Sequence, residues 1–128
     1  MDASKLPAEL RYTKSHEWVR IEGDTATVGI TDHAQGQLTD IVFVDLPAVG
    51  KAVSAGAPAL TLESVKTVAD VYAPGDGVIA AANADLKTHP EFVNQDPYGK
   101  GWIFRVKLSK PIDSATLLSA DAYRATLG

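Results

Sequence analysis

Apolar and polar positions alternate with a period of two over several short stretches, the pattern of half-buried strands. Trp18 and Ile21, followed by Ala26, Val28 and Ile30, are spaced for two strands joined by a tight turn at Gly23-Asp24. Ile41-Val42-Phe43-Val44, ending ahead of Pro47, is a continuous apolar run and predicts a strand covered on both faces, central to the core. Val78-Ile79-Ala80-Ala81 predicts another strand. Trp102, Phe104, Val106 and Leu108 alternate with Ile103, Arg105 and Lys107 as a further one. Turn chemistry separates these runs at residues 49–58, 73–77 and 96–101, and a polar connection over 83–94 has room for a helical turn after Pro90.

Helical signals are brief. Thr31 is placed to cap a short helix with Asp32 in its first turn, and Gly36 limits its length. After Pro111, Asp113 and Ser119 are N-cap candidates, and Leu117, Leu118, Tyr123 and Leu127 have the spacing of short amphipathic C-terminal helices. Residues 1–10 have no period and predict a loose leader before a single domain over 11–128. Many short strands with a turn every ~8–12 residues predict a mainly β sandwich or barrel of two small, loosely pseudo-symmetric sheets, trimmed by helices.

One stretch departs from scaffold. Residues 62–74 alternate on both sides of Lys66, and β-branched Val65, Thr67, Val68 and Val71 suit a pleated hairpin. A two-residue turn at Lys66-Thr67 pairs Val65 with Val68, Leu62 with Val71 and Glu63 with Asp70. Leu60, Leu62, Val71 and Ala73 then form a core face, and Thr61, Val65, Val68, Tyr72 and two opposed carboxylates form the other. Opposed like charges destabilise a sheet by ~0.2–1 kcal/mol, so a cation is expected near them. The tip also lacks the Asn-Gly, Asp-Gly or Gly-X of favoured two-residue turns. Two readings follow: a solvated edge lysine that keeps a hairpin soluble, or a lysine presented for covalent attachment.

Composition narrows the field. The 128 residues suffice for one domain with a sizeable core. Absence of cysteine removes disulfides, thiol nucleophiles and thiolate metal sites, so any dithiol chemistry must arrive on an attached group. A net charge of -4 disfavours nucleic acid as a partner. No apolar run approaches the ~20 residues of a membrane span, and residues 1–11 resemble neither a signal nor a transit peptide, which predicts a cytoplasmic, bacterial-type chain. Ser15-His16-Glu17 holds the residue types of a hydrolytic triad, but neighbours in an extended segment point to opposite faces. His16, His33 and His89 lack paired metal-ligand spacing. Gly75-Asp76-Gly77 and Gly99-Lys100-Gly101 are turns rather than phosphate loops. No catalytic constellation emerges.

Glu63-Ser64-Val65-Lys66, followed by Asp70, Pro74 and Gly77, resembles the lipoyl-lysine hairpin of the glycine cleavage H-protein family. The likeness extends through Tyr12–Val19, Val28–Gln35, Asp40–Pro47 and Val93–Trp102, in that order, and leaves only the first ten or so residues unmatched. It implies a barrel-sandwich hybrid of the lipoyl and biotinyl carrier type, a non-enzymatic monomer, and lipoic acid on Lys66 in amide linkage. Glu63, Ser64, Val65 and Thr67 would form the tip that a lipoylating enzyme recognises. The implied partners are a pyridoxal-phosphate glycine decarboxylase that loads an aminomethyl group, a tetrahydrofolate-dependent aminomethyltransferase, and a flavin-containing dihydrolipoamide dehydrogenase. In the family the loaded arm folds back into a cleft whose matching positions are Ser15, Glu17 and Asp70. Asp70 and Glu17 are expected to bind the cationic amine, with Glu63 adding field. Val68 and Ala69 depart from the family's usual small residues and Ser, and Thr39 stands where Gly is common.

Other readings are a lipoyl domain of a 2-oxoacid dehydrogenase complex, whose hairpins typically read Asp-Lys-Ala on multidomain chains, a biotin carrier, whose lysine is usually flanked by Met, and an unmodified β-sandwich interaction module. Met1 is the only methionine here.

Overall fold

The computed structural model describes residues 6–127. A meander opens the chain, with β1 (Arg11–Tyr12), β2 (Glu17–Glu22) and β3 (Thr25–Ile30). Gly23, at φ 63°, makes the tight turn expected between the last two. Then come α1 (Asp32–Leu38), β4 (Ile41–Asp45), β5 (Ala52–Val53), β6 (Pro58–Ser64), β7 (Val68–Tyr72) and β8 (Gly77–Ala82). A 3-10 turn (Ala84–Lys87), α2 (Phe92–Gln95), β9 (Phe104–Leu108), a second 3-10 turn (Ser114–Thr116) and α3 (Ala120–Thr126) complete it. Two antiparallel sheets result, one ordered β1-β2-β3-β9-β8-β5 and the other β4-β6-β7. Their inner faces enclose the main core, to which β3 gives Ala26, Val28 and Ile30, β9 gives Phe104 and Val106, and the small sheet gives Val44, Leu60, Leu62 and Val71.

The sheets are unequal, because β9 returns between β3 and β8 and fuses the N-terminal meander with the later strands. Ile41–Val44 is not a central strand. It lies at the edge of the small sheet, and a bulge between Ile41 and Phe43 sends Val42 and Phe43 outward, 53% and 49% exposed, while Ile41 and Val44 stay buried. An unbroken apolar run therefore arises here from an inserted residue rather than from cover on both faces.

The capping signals act as written. Thr31 Oγ1 accepts from Ala34 N (3.2 Å), Ser119 Oγ from Ala122 N (3.1 Å), and Asp113 Oδ1 from Ala115 N (3.0 Å). Residues 6–10, expected to belong to a loose leader, are packed down. Leu6 and Leu10 are buried with Tyr12, Trp18, Ala120 and Tyr123 in a second cluster, and Tyr12 donates to the Pro7 carbonyl (2.7 Å). No local period announces this, because the partners come from α3, more than a hundred residues on. Residues 1–5 of that expected leader lie outside the described part. Trp18 lies flat across its cross-strand partner Gly29, where a Cβ would sit 2.6 Å from the indole nitrogen. That nitrogen donates to the Pro97 carbonyl (2.8 Å).

Thr39, between α1 and β4, has φ 64° and ψ -149°, a region almost reserved for glycine and costing a β-branched residue about 1–3 kcal/mol. Thr39→Gly relieves that strain and gives back about 0.5–1 kcal/mol in unfolded-chain entropy. The expected net gain of about 1 kcal/mol raises the melting temperature by about 3–5 °C. An unchanged or lower melting temperature in thermal unfolding would show that the corner stores no strain.

Candidate functional site

Lys66 is exposed at the end of the β6–β7 hairpin. The register differs from the expected one. Glu63 pairs with Val68, Leu62 with Ala69 and Thr61 with Asp70, and Ser64 N donates to Thr67 O (2.8 Å), so the turn residues are Val65-Lys66. Sliding the turn by one residue moves each partner by two and leaves the faces unchanged, so Leu62 and Val71 remain inside and Glu63 and Asp70 outside. The expected Glu63–Asp70 opposition is thereby removed, since Glu63 lies between Phe43 and Val68, one row nearer the tip.

The turn's missing glycine is also explained. Neither Val65 nor Lys66 has a positive φ. Ser64 Oγ instead accepts from the backbone N–H groups of Lys66 (3.2 Å) and Thr67 (3.0 Å), doing within the turn what a carbonyl would do. A second restraint comes from outside the hairpin, as Val65 N donates to Asp40 O (3.0 Å). Lys66 Nζ reaches 3.5 Å from Gln37 O at the end of α1. That helix has no basic residue in its own last turn, so the ammonium complements its negative pole.

Glu17 is the other centre. Only 1% exposed, it projects from β2 toward the free edge of β7. Its Oε1 accepts from Thr13 Oγ1 and from Ser15 Oγ (2.6 Å), and its Oε2 accepts from Tyr72 N (3.3 Å). Burial pushes this carboxyl above its ordinary value of 4.5, partly opposed by the Ser15, Thr13 and Tyr72 hydrogen bonds. Ser15 and Glu17 meet in a turn rather than an extended segment, one in which His16 takes φ 72°, and as expected the three residues do not converge. The histidine leaves in another direction. Its Nδ1 lies 2.7 Å from Tyr123 OH, which lies 2.8 Å from Thr31 Oγ1, and its ring is 5.0 Å from that of His33. Burial, then His33, lowers the His16 pKa from 6.5. The hydrolytic triad types are thus assembled without a nucleophile–base contact.

Ser15, Glu17 and Asp70 line one cleft of about 180 Å³ with Ile30, Ala34, Leu38, Leu62 and Val71. Apolar and oxygen-bearing side chains line it together. Gln37, the residue that meets the Lys66 ammonium, lines it too. Glu17 also borders a wider hollow of about 570 Å³ that includes Thr13, Lys14, Tyr72 and Thr116. The tip residues Glu63, Ser64, Val65 and Thr67 stand together around Lys66 but do not line the cleft. Sequence reasoning missed Thr13 and the α1 wall. Thr13 stands four residues before Glu17 in a turn that the positive φ of His16 creates, a signal absent from residue types alone.

A two-sheet β fold that holds one lysine in solvent on a braced turn, beside a cleft lined by apolar side chains together with Glu17 and Asp70, defines a carrier domain of the barrel-sandwich type. The glycine cleavage H-protein family model matches residues 10–128. The chain is 54% identical over 124 residues to the glycine cleavage system H protein of Rubrobacter xylanophilus, covering 97% of this chain and 96% of that one. It is 55% identical over 125 residues to that of Klebsiella pneumoniae, covering 97% of each. A crystal structure of the Mycobacterium marinum glycine cleavage system H protein superposes with a TM-score of 0.88 at 40% identity, over 96% of this chain and 99% of that one. The chain belongs to the glycine cleavage H-protein family. Its role is that of a lipoyl carrier in glycine cleavage, without catalysis of its own.

The raised Glu17 pKa has a signed consequence. A carboxyl whose folded pKa lies above its unfolded value contributes stability that is full below pH 4.5 and is lost as pH rises through the folded pKa. Glu17→Gln keeps an acceptor for Tyr72 N and removes the titration. Urea midpoints of the parent chain are expected to fall relative to the variant from pH 4.5 upward. Parallel curves would show that Glu17 titrates as in the unfolded chain.

Proposed function

We propose that Lys66 is the lipoyl attachment site and that the arm, when loaded, rests in the cleft lined by Ser15, Glu17 and Asp70. The observation that carries this reading is the placement of Lys66: exposed on a turn held by Ser64 and Asp40, with its Nζ at the wall of that cleft. Acylation of the lysine removes its charge and leaves an amide N–H at the same place. The attached group supplies a dithiol, which the cysteine-free chain cannot, to carry the aminomethyl group of glycine.

The chain's own residues bind and shelter. Ile30, Leu62 and Val71 offer apolar surface to the cleft, while Ser15, Glu17 and Asp70 offer oxygen atoms suited to a cationic amine. Glu17 is not a free anion awaiting a guest, because Thr13, Ser15 and Tyr72 already occupy it. Exposed Asp70 is the adaptable partner. Glu63 belongs to the exposed tip, with Val65 and Thr67, as part of the surface met by the lipoylating enzyme. On this reading the successive partners are the pyridoxal-phosphate decarboxylase, the tetrahydrofolate-dependent aminomethyltransferase and the flavin-containing dihydrolipoamide dehydrogenase, in the cytoplasm. The serine missing before Asp70 leaves Ala69 on the cleft wall, which removes a hydroxyl and leaves attachment intact.

Intact mass after expression with lipoate supplied is expected to show one lipoyl group, absent from Lys66→Ala; no addition, or biotin instead, defeats the assignment. With the arm loaded, Asp70→Asn is expected to shorten the aminomethyl group's lifetime in buffer about 1.5- to fivefold, the range for losing one exposed charge contact. An unchanged lifetime removes Asp70 from the docking site.

A further inference from the structure

The corner between α1 and β4 touches the hairpin tip at two carbonyls, Gln37 O near Lys66 Nζ (3.5 Å) and Asp40 O on Val65 N (3.0 Å). The same corner is gripped from the opposite direction by one side chain of α2. Asn94 Nδ2 donates to Thr39 O (2.8 Å) and to Gln35 Oε1 (3.0 Å), and Asn94 Oδ1 accepts from Ile41 N (2.9 Å). Its amide thus clasps the peptide groups on both sides of Asp40 and the last turn of α1. Its neighbour Val93, fully buried in the main core, anchors α2 in turn.

We propose that Asn94 is a positioning residue for Lys66. Its amide holds the Thr39–Ile41 corner in a backbone conformation that threonine disfavours, and the Asp40 carbonyl of that corner aims the hairpin tip. The inference rests on reading Lys66 as the modified lysine and adds what sets its direction.

Three features support it. First, the conformation of Thr39, φ 64° and ψ -149°, does not persist unless surroundings over-determine it. Asn94 supplies a donor and an acceptor on either side of Asp40, which a carboxylate or an aliphatic side chain could not supply together. Second, the tip has few restraints of its own. Beyond the Ser64–Thr67 pair the turn relies on Ser64 Oγ within the hairpin and on Asp40 O outside it. The Val65–Asp40 contact, which continues the Ile41–Ser64 pairing, joins the turn to the corner that follows α1, and Ala34, Gln37 and Leu38 of that helix form one wall of the docking cleft. Third, Thr39 stands where glycine would adopt this conformation without strain. The strain makes this corner dependent on the clasp: without Asn94 a threonine corner relaxes, whereas a glycine corner loses less.

The test uses the full chain with Asn94→Ala, Asn94→Asp, and each combined with Thr39→Gly. Amide exchange of Val65, bonded to Asp40 O, is compared with that of Ser64, bonded to Thr67 O within the hairpin. The expected result for Asn94→Ala is exchange at Val65 about tenfold faster with Ser64 within about twofold of the parent. A lipoate–protein ligase is expected to modify this variant with kcat/KM lowered about three- to tenfold, mainly through KM. Thr39→Gly is expected to recover both. Asn94→Asp keeps the Ile41 acceptor but sets a carboxylate oxygen against the Thr39 carbonyl, so it should show the same direction, and it serves if the alanine variant does not fold. Unchanged Val65 exchange overturns the proposal. So does equal acceleration at Val65 and Ser64 alongside a fall in melting temperature, which marks a residue needed only for stability. If the parent chain is never modified at Lys66, the attachment reading fails, and the exchange data still decide the role of Asn94.

Discussion

A carboxylate withdrawn from water ties the two sheets of this protein together. Glu17 stands at the start of β2, on the inward face shared with Val19, and reaches the last residue of β7 across the open end of the sandwich. Buried carboxylates persist only when hydrogen-bonded. Thr13, Ser15 and Tyr72 meet that requirement, so the 13–17 turn and the edge of β7 are held at one separation. The cleft beside them takes its Ser15 and Glu17 side chains from this arrangement. An edge strand with unpaired N–H groups is ordinarily a hazard, and here part of that edge is used to satisfy an acid.

Around this joint the molecule divides its labour between rigidity and reach. The inter-sheet core fixes the hairpin stem, with Leu62 and Val71 buried in it. The tip lies beyond the core and is braced only by polar contacts, from Ser64 within and from the corner at Asp40 without. A lysine so placed is accessible to a modifying enzyme while its root stays oriented. The carrier therefore needs no machinery for bond making, only geometry that limits where a flexible arm begins.

The His16–Tyr123–Thr31 contacts show how closely the site is joined to the C-terminus. Tyr123 comes from α3, Thr31 caps α1, and His16 precedes Glu17, so the helix that ends the chain also steadies the turn that houses the acid. Leu6 and Leu10 close the same cluster. Regions that look peripheral along the chain are thus supports of the cleft.

Residue types and periods by themselves determined the longer strands, the caps at Thr31 and Ser119, the two faces of the hairpin and the exposure of Lys66, but not the two-residue strands β1 and β5. These depend on neighbours two to four positions away, where backbone geometry and side-chain alternation act directly. The hairpin tip around Lys66 was likewise legible, because its residues lie within a few positions of one another. Tertiary structure alone decided the bulge that turns Val42 and Phe43 outward, the one-residue slide that separates Glu63 from Asp70, and the burial of Leu6 and Leu10. It alone brought Tyr72 onto Glu17 and Asn94 onto the Thr39 corner, because each choice balances alternatives of similar local energy and only contacts from distant segments break the tie.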